Sequence, residues 1–363
     1  MAKKSRVDET ALKNKCPACN ASISFNPSLD KWKCDYCGSS FSLEELKKFS
    51  DNASTDNANK KVDSKEEYND YVSYRCESCG AEIVADAQTA ATFCVYCGNT
   101  AILKSKLTGK FNPDYIIPFK CEKEDAIEAF KSLPHGRPLV PKKFSDAKNI
   151  EKIRGVYIPF WLFDIGVNGD INVNATRVTS WTSGDIHYTK TDHYKVVRGG
   201  TMNYKLVPVD GSSRFDNNIM NSIEPFDYKG LVKYNHAYFS GFYAERYDIA
   251  SENVFDEVSD RAIYSSKHIL LNDIRFYDTK NIISNTLKSS KLNCSYAMLP
   301  VWMVNVKYKD KLYTFAMNGQ TKKFIGNIPI DKPKAIFYTI VIFLLSFVLA
   351  IGGSYLFFKL GGH

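Results

Sequence analysis

The chain has 363 residues, 44% of them hydrophobic and 24% charged, with a formal net charge of +8. That is an ordinary globular balance, with length for more than one domain and a sizeable core. The opening "MAKKSRVDETALKNK" has no apolar run to act as a secretory signal, so the N-terminus is expected to stay in the cytosol, where ten cysteines are poor candidates for disulfides.

Eight of those cysteines form four Cys-x-x-Cys pairs with a duplicated spacing: Cys16 and Cys19, fourteen residues, Cys34 and Cys37; then Cys76 and Cys79, fourteen residues, Cys94 and Cys97. A Cys-x-x-Cys turn sets two sulfurs on one side of a tight knuckle, and two knuckles joined by a hairpin close a tetrahedron around one metal ion. Thiolate shells of this kind, with Gly38 and Gly98 following the last ligands, have the zinc-ribbon pattern. Two structural Zn²⁺ ions are expected. All four positions of each shell are filled by cysteine, which leaves no open position for catalysis.

Residues 1–50 carry nine Lys/Arg against six Asp/Glu, and residues 71–110 carry four against three. Each zinc–thiolate centre subtracts two charges, leaving about +1 and −1, too little for binding that rests on phosphate contacts. Within the ribbons Lys31-Trp32-Lys33 is the spot where a base could stack beside cations, although a Trp in a ribbon strand more often covers the zinc knuckle. The expected partners are therefore proteins, docked through exposed groups around Trp32, Tyr36 and Tyr96. Nucleic acid is kept as the alternative.

Between the ribbons, "SLEELKKF" opens with Ser42 and Glu45 at capping-box positions and predicts a short helix, and the polar stretch 51–70 reads as a linker. From Phe111 the pattern turns to strands rich in Tyr, Phe, Val and Ile, with helices at "CEKEDAIEAFKSL", "SDAKNIEKI" and "SENVFDEVSDRAIYSSKHILL"; in the last, Val254, Val258 and Ala262 share one face. Pro159 to Trp161 and Pro300 to Trp302 each lead into a strand and are followed by Asn168-Gly169 and Lys309-Asp310, which predicts two equivalent hairpins. Asn318-Gly319 adds a further turn. Cys121 and Cys294 are isolated, without a His nearby in sequence, and are expected in the core.

No phosphate-binding loop, zinc-protease helix, nucleophile elbow or dinucleotide fingerprint occurs, so no enzymatic activity is expected. Asp185, His187, Asp192 and His193 are the densest ionisable group, and strands flanking a turn make them a solvated hairpin tip. Ala335 to Phe358 is uncharged and, at about 36 Å as a helix, long enough to span a bilayer. Lys322, Lys323, Lys332 and Lys334 precede it and Lys359 follows, which by the positive-inside bias keeps the large domain cytosolic.

The expected architecture is multidomain: zinc ribbons at 1–50 and 71–110 joined by the linker 51–70, an α+β, β-rich cytosolic domain at 111–330, and one C-terminal transmembrane helix at 335–358. The paired ribbons, "YIPFWLFD", "LPVWMVNV" and the terminal anchor together resemble the bacterial TFIIB-type zinc-ribbon-containing membrane proteins. Relatives in that family are often labelled primosomal replication-restart helicases, an activity that needs the phosphate-binding loop absent here. The resemblance implies a single-pass, tail-anchored scaffold that recruits protein partners to the cell membrane in envelope stress.

Overall fold

The computed structural model describes residues 15–53, 71–75, 82–86, 89–93, 100–102, 111–133, 135–141, 153–308 and 311–361. The second cysteine set and most of the linker lie outside them, as does the helix expected at 145–153 apart from Ile153.

A large β-rich body is built on two long antiparallel strands, β9 (Arg154–Ser183) and β14 (Lys288–Tyr308). They pair from Arg154↔Met303 to Asn168↔Lys288, so the two Pro-x-Trp segments lie side by side, with Pro159 opposite Met298, Tyr157 opposite Pro300 and Trp161 opposite Tyr296. The first half of β9 is apolar on both faces because both are covered. Ile158, Phe160 and Leu162 pack with Ile219, Met220 and Ile223 of helix α3 (Asn217–Ile223), while Phe163, Ile165 and Val167 point the other way and pack with helix α4 (Ser251–Asp273). Beyond Gly169 only the α4 side stays buried, through Ile171, Val173 and Ala175. The alternate positions there are Asn172, Asn174 and Thr176, as a strand with one wet face requires. The α4 stripe is the one its spacing predicts, with Val254, Val258 and Ala262 buried.

Asn168-Gly169 is not a turn. It lies inside β9, which continues to Ser183 before the chain reverses at Gly184-Asp185 into β10 (Ile186–Asp210). Gly169 is needed for close approach instead. Its φ is +141°, and a Cβ there would sit 2.7 Å from the Thr286 carbonyl oxygen, where the chain passes from β13 (Thr279–Asn285) into β14. At the second Pro-x-Trp segment, β14 does pair with β15 (Lys311–Asn318) up to Tyr308↔Lys311, and the joining Lys309-Asp310 lies outside the described residues. At the Asn318-Gly319 turn the buried Asn318 amide donates to the carbonyls of Ile223 and Pro225, while its oxygen accepts from the Gln320 and Thr321 amides. This satisfies the whole side chain and pins the turn to the segment after α3.

Where β10 ends, Asp210 is 2% exposed and lies near Glu224 and Arg261. Arg261 donates to the Pro208 carbonyl (2.9 Å) and to one Glu224 oxygen (3.4 Å), while Asp210 Oδ2, Glu224 Oε1 and the Tyr228 hydroxyl have no hydrogen-bond partner among the described residues. Burial, with the nearby Glu257 charge, pushes the Asp210 carboxyl up to about 6, and burial pushes Glu224 up to about 7 against the pull of Arg261. In the unfolded chain both titrate near 4. The folded state therefore binds more protons between those limits, and the stabilisation present in acid is lost as pH rises through 6 and 7. Thermal unfolding midpoints are expected to fall from pH 5 to pH 8, and Glu224→Gln should flatten that slope.

Candidate metal centre

Strands β1 (Ser24–Asn26), β2 (Lys31–Lys33) and β3 (Ser40–Phe41) form a small antiparallel sheet that presents two knuckles. In the first, the Asn20 amide donates to the Cys16 carbonyl at 2.8 Å; in the second, the Gly38 amide donates to the Cys34 carbonyl at 2.9 Å. Each knuckle closes with a left-handed residue, Asn20 at φ +62° and Gly38 at φ +75°. Sequence reading found the glycine but missed Asn20, although Asn is among the few side chains that tolerate this conformation. Helix α1 (Leu43–Ala53) follows, with the expected capping box: the Ser42 amide donates to Glu45 and the Glu45 amide to Ser42 Oγ.

The knuckles bring the sulfurs of Cys16, Cys19, Cys34 and Cys37 within 4.8 Å of one another. Cys16 and Cys37 are 3.5 Å apart and Cys19 and Cys34 are 3.6 Å apart, far longer than a disulfide bond. A tetrahedron with metal–sulfur bonds of about 2.3 Å has edges of about 3.8 Å, so this cluster has the size to hold one metal ion. Hydrogen bonds from the Ser39 side chain and backbone pull the Cys37 thiol down to about 6. At Cys19 the backbone bond to Ala21 favours the thiolate, yet burial and the three neighbouring cysteines push the thiol up to about 12. Four thiolates this close repel, and a central cation removes that penalty.

The four-cysteine unit is not free of the body. Trp32 is 1% exposed, donates its indole N–H to the Ala237 carbonyl at 2.8 Å, and packs with Phe25 and Tyr238 at ring separations of 4.9 and 5.1 Å. The Phe25 amide donates to the Ser240 carbonyl. Phe239, in the same short turn, meets Tyr157 of β9 at 5.1 Å. Trp32 is thus covered, as a Trp in a ribbon strand more often is, and the ring itself is not among the exposed groups at a docking face. Of the groups expected at a docking face, Tyr36 is 85% exposed and Tyr96 lies outside the described residues.

Cys76, Cys79, Cys94 and Cys97 also lie outside them. Strands on either side of these cysteines are described. β4 (Tyr71–Arg75) pairs with β5 (Glu82–Asp86), while β6 (Thr89–Phe93) pairs with β7 (Thr100–Ile102) and joins the body sheet through Ala91↔Ala244 on β12 (Tyr243–Glu245). The other ionisable candidates do not converge: His187 meets Thr182 at 3.2 Å and Asp192 pairs with Lys190 at 3.1 Å on the exposed β9–β10 hairpin, whose turn holds Asp185 and whose His193 is also exposed. Cys121 is buried, and Cys294 is half-buried. Helix α5 (Lys332–Gly361) is long and apolar enough to cross a membrane; within its stretch Lys332–Gly353 an 18-residue segment has a mean hydropathy of 2.6, with none of that segment buried against the chain.

Chelation of the metal-loaded chain is expected to release Trp32 and shift its fluorescence to the red, with the change absent from a Trp32→Phe chain. Cys34→Ser should give the same release. Trp32→Ala should cost about 3–5 kcal/mol in denaturant titrations, because it empties a fully buried site.

No family model and no solved structure matches the chain. It is 31% identical to the uncharacterized protein YdjG of Bacillus subtilis (strain 168) over 312 residues, covering 72% of this chain and 92% of that protein. The chain belongs to the family of this Bacillus subtilis protein.

Proposed function

We propose that the chain is a membrane-anchored adaptor, held at the bilayer by α5, that uses zinc-braced ribbons and the β-rich body to recruit protein partners. The observation that carries this reading is the closed four-cysteine cluster docked on the body by a buried Trp32, with Tyr36 and Leu29 left exposed on the same unit. A complete thiolate shell suits Zn²⁺ in a structural role, and the identical spacing of Cys76, Cys79, Cys94 and Cys97 supports a second ion of the same kind. The likeness to TFIIB-type zinc-ribbon membrane proteins supports a place in envelope stress, and the lysines ahead of α5 support a cytosolic body.

Burial of Trp32 also bears on the alternative, a membrane-tethered nucleic-acid binder. The Trp32 ring, flanked by Lys31 and Lys33 in the first ribbon, has no free face for a base. A fragment cut after residue 110 would uncover Phe25 and Trp32 artificially, so the test uses the full chain in detergent. Elemental analysis is expected to give two zinc ions per chain. Protein partners captured from solubilised membranes should survive nuclease and be lost in a Leu29→Ser/Tyr36→Ser chain, with no measurable DNA binding at physiological salt. Micromolar or tighter DNA binding that weakens steeply with salt would overturn the adaptor reading in favour of the alternative.

A further inference from the structure

The β9–β10 hairpin runs past everything that supports it. β13 accompanies β9 only as far as Thr279↔Thr176, and the Asp278 side chain accepts from the Val178 amide just beyond. From Thr179 to the turn at Gly184-Asp185, neither edge of the ribbon has a neighbour among the described residues, and along its full length β10 pairs with β9 alone. Isolated two-stranded ribbons are marginal in water, and a long open edge is a template for another strand. The arm also carries apolar groups: Trp181 stacks on Tyr188 at 5.5 Å, and Trp181 and Ile186 are 47% and 58% exposed.

The pleat and the charges of β10 select a partner. The turn is two residues long, so Ser183 and Ile186 exchange hydrogen bonds across it, and along β10 the even-numbered residues turn their amides and carbonyls toward β9. The odd-numbered residues from His187 to Val197 present theirs to the open edge. Ile186, Tyr188, Lys190, Asp192, Tyr194 and Val196 share one face, the one that continues into the α4 core at Val196. Suppose a second copy of the same strand lies antiparallel along this edge. A two-fold centred on Lys190 sets lysine against lysine, and one centred on Asp192 sets carboxylate against carboxylate. Centred on Thr191, the register places each Lys190 opposite Asp192 of the other copy, Tyr188 opposite Tyr194 and Ile186 opposite Val196, and it puts outward-facing backbone groups at the axis. No other two-fold register brings Lys190 and Asp192 together. The 3.1 Å Lys190–Asp192 pair within one strand then becomes half of an alternating quartet.

We propose that two copies of this chain associate through the open edge of β10, from Ile186 to Val196 about a two-fold at Thr191, to form a four-stranded arm.

The test weighs the full-length, metal-loaded chain in detergent by light scattering corrected for the micelle. The wild type is expected at the mass of a dimer, Lys190→Asp at the mass of a monomer, and Lys190→Asp/Asp192→Lys back at a dimer, because the double exchange inverts each pair and keeps it. On mild oxidation the Thr191→Cys chain should form an inter-chain disulfide, the two-fold bringing the paired Cα atoms to about 5.5 Å, while Thr179→Cys, on the β9 side of the ribbon, should not. Recovery in the double variant shows that the single substitution acts on the interface and not on folding. A monomeric wild type overturns the proposal, as does a dimer that survives Lys190→Asp and gives no Thr191→Cys cross-link, which would place the contact elsewhere, α5 included.

Discussion

Antiparallel pairing of the two Pro-x-Trp segments, Tyr157 against Pro300 and Pro159 against Met298, is the contact on which the rest of the molecule is hung. Both strands are apolar on both faces there, so the pairing is tolerable only if each face is covered. Helix α3 covers one face. The other carries Tyr157 and Trp302 near the strand ends, met by Phe119, Phe239 and Phe242, and passes into the α4 core farther along β9. Ring pairs in edge and stacked contact fill that layer with large side chains and few polar atoms.

The cysteine cluster is joined to this layer by a short path. Cys34 follows Trp32 by two residues, Trp32 bonds the Ala237 carbonyl, and the turn that holds Ala237 places Phe239 on Tyr157. Three strands of two or three residues bury too little apolar surface to hold their own geometry, so the body must supply part of that support, and an ion held by the four sulfurs would add to it. The sulfur cluster is therefore part of the scaffold of the body as well as of the ribbon, and its Cys37 edge remains at the surface where Tyr36 projects.

The opposite parts of the body are organised by polarity. Near β16 (Phe324–Gly326) and the start of α5, Lys322 pairs with Asp125, Lys323 reaches the Glu224 carbonyl, and Asn318 anchors the turn to the residues after α3. The turn ahead of β16 is thus fastened by side-chain hydrogen bonds beside Glu224, and α5 begins farther on, just after Asp331, whose amide donates to the Leu139 carbonyl. At the other end of β9 the chain runs out into the exposed arm, whose two strands are held to each other and to little else.

Local spacing alone determined the four-cysteine cluster, the buried stripe of α4, the capping box of α1 and the apolar run of α5, because each is set by residues within a few turns of one another along the chain. The knuckle glycine, Gly38, was legible for the same reason. Tertiary structure decided what rests on contacts between distant segments. Asn168-Gly169 has the composition of a hairpin turn, but its glycine serves the backbone of Thr286 and Leu287 crossing nearby, which no local pattern records. Lys31-Trp32-Lys33 leaves both a covering and a stacking role open to the indole, and it is the distant 236–239 turn that covers it. Asp210 and Glu224 carry no signal of burial in sequence; they are enclosed because β10, α3 and α4 meet there. Short-range chemistry sets which ligands and which helix faces exist, and long-range pairing sets which of them water can reach.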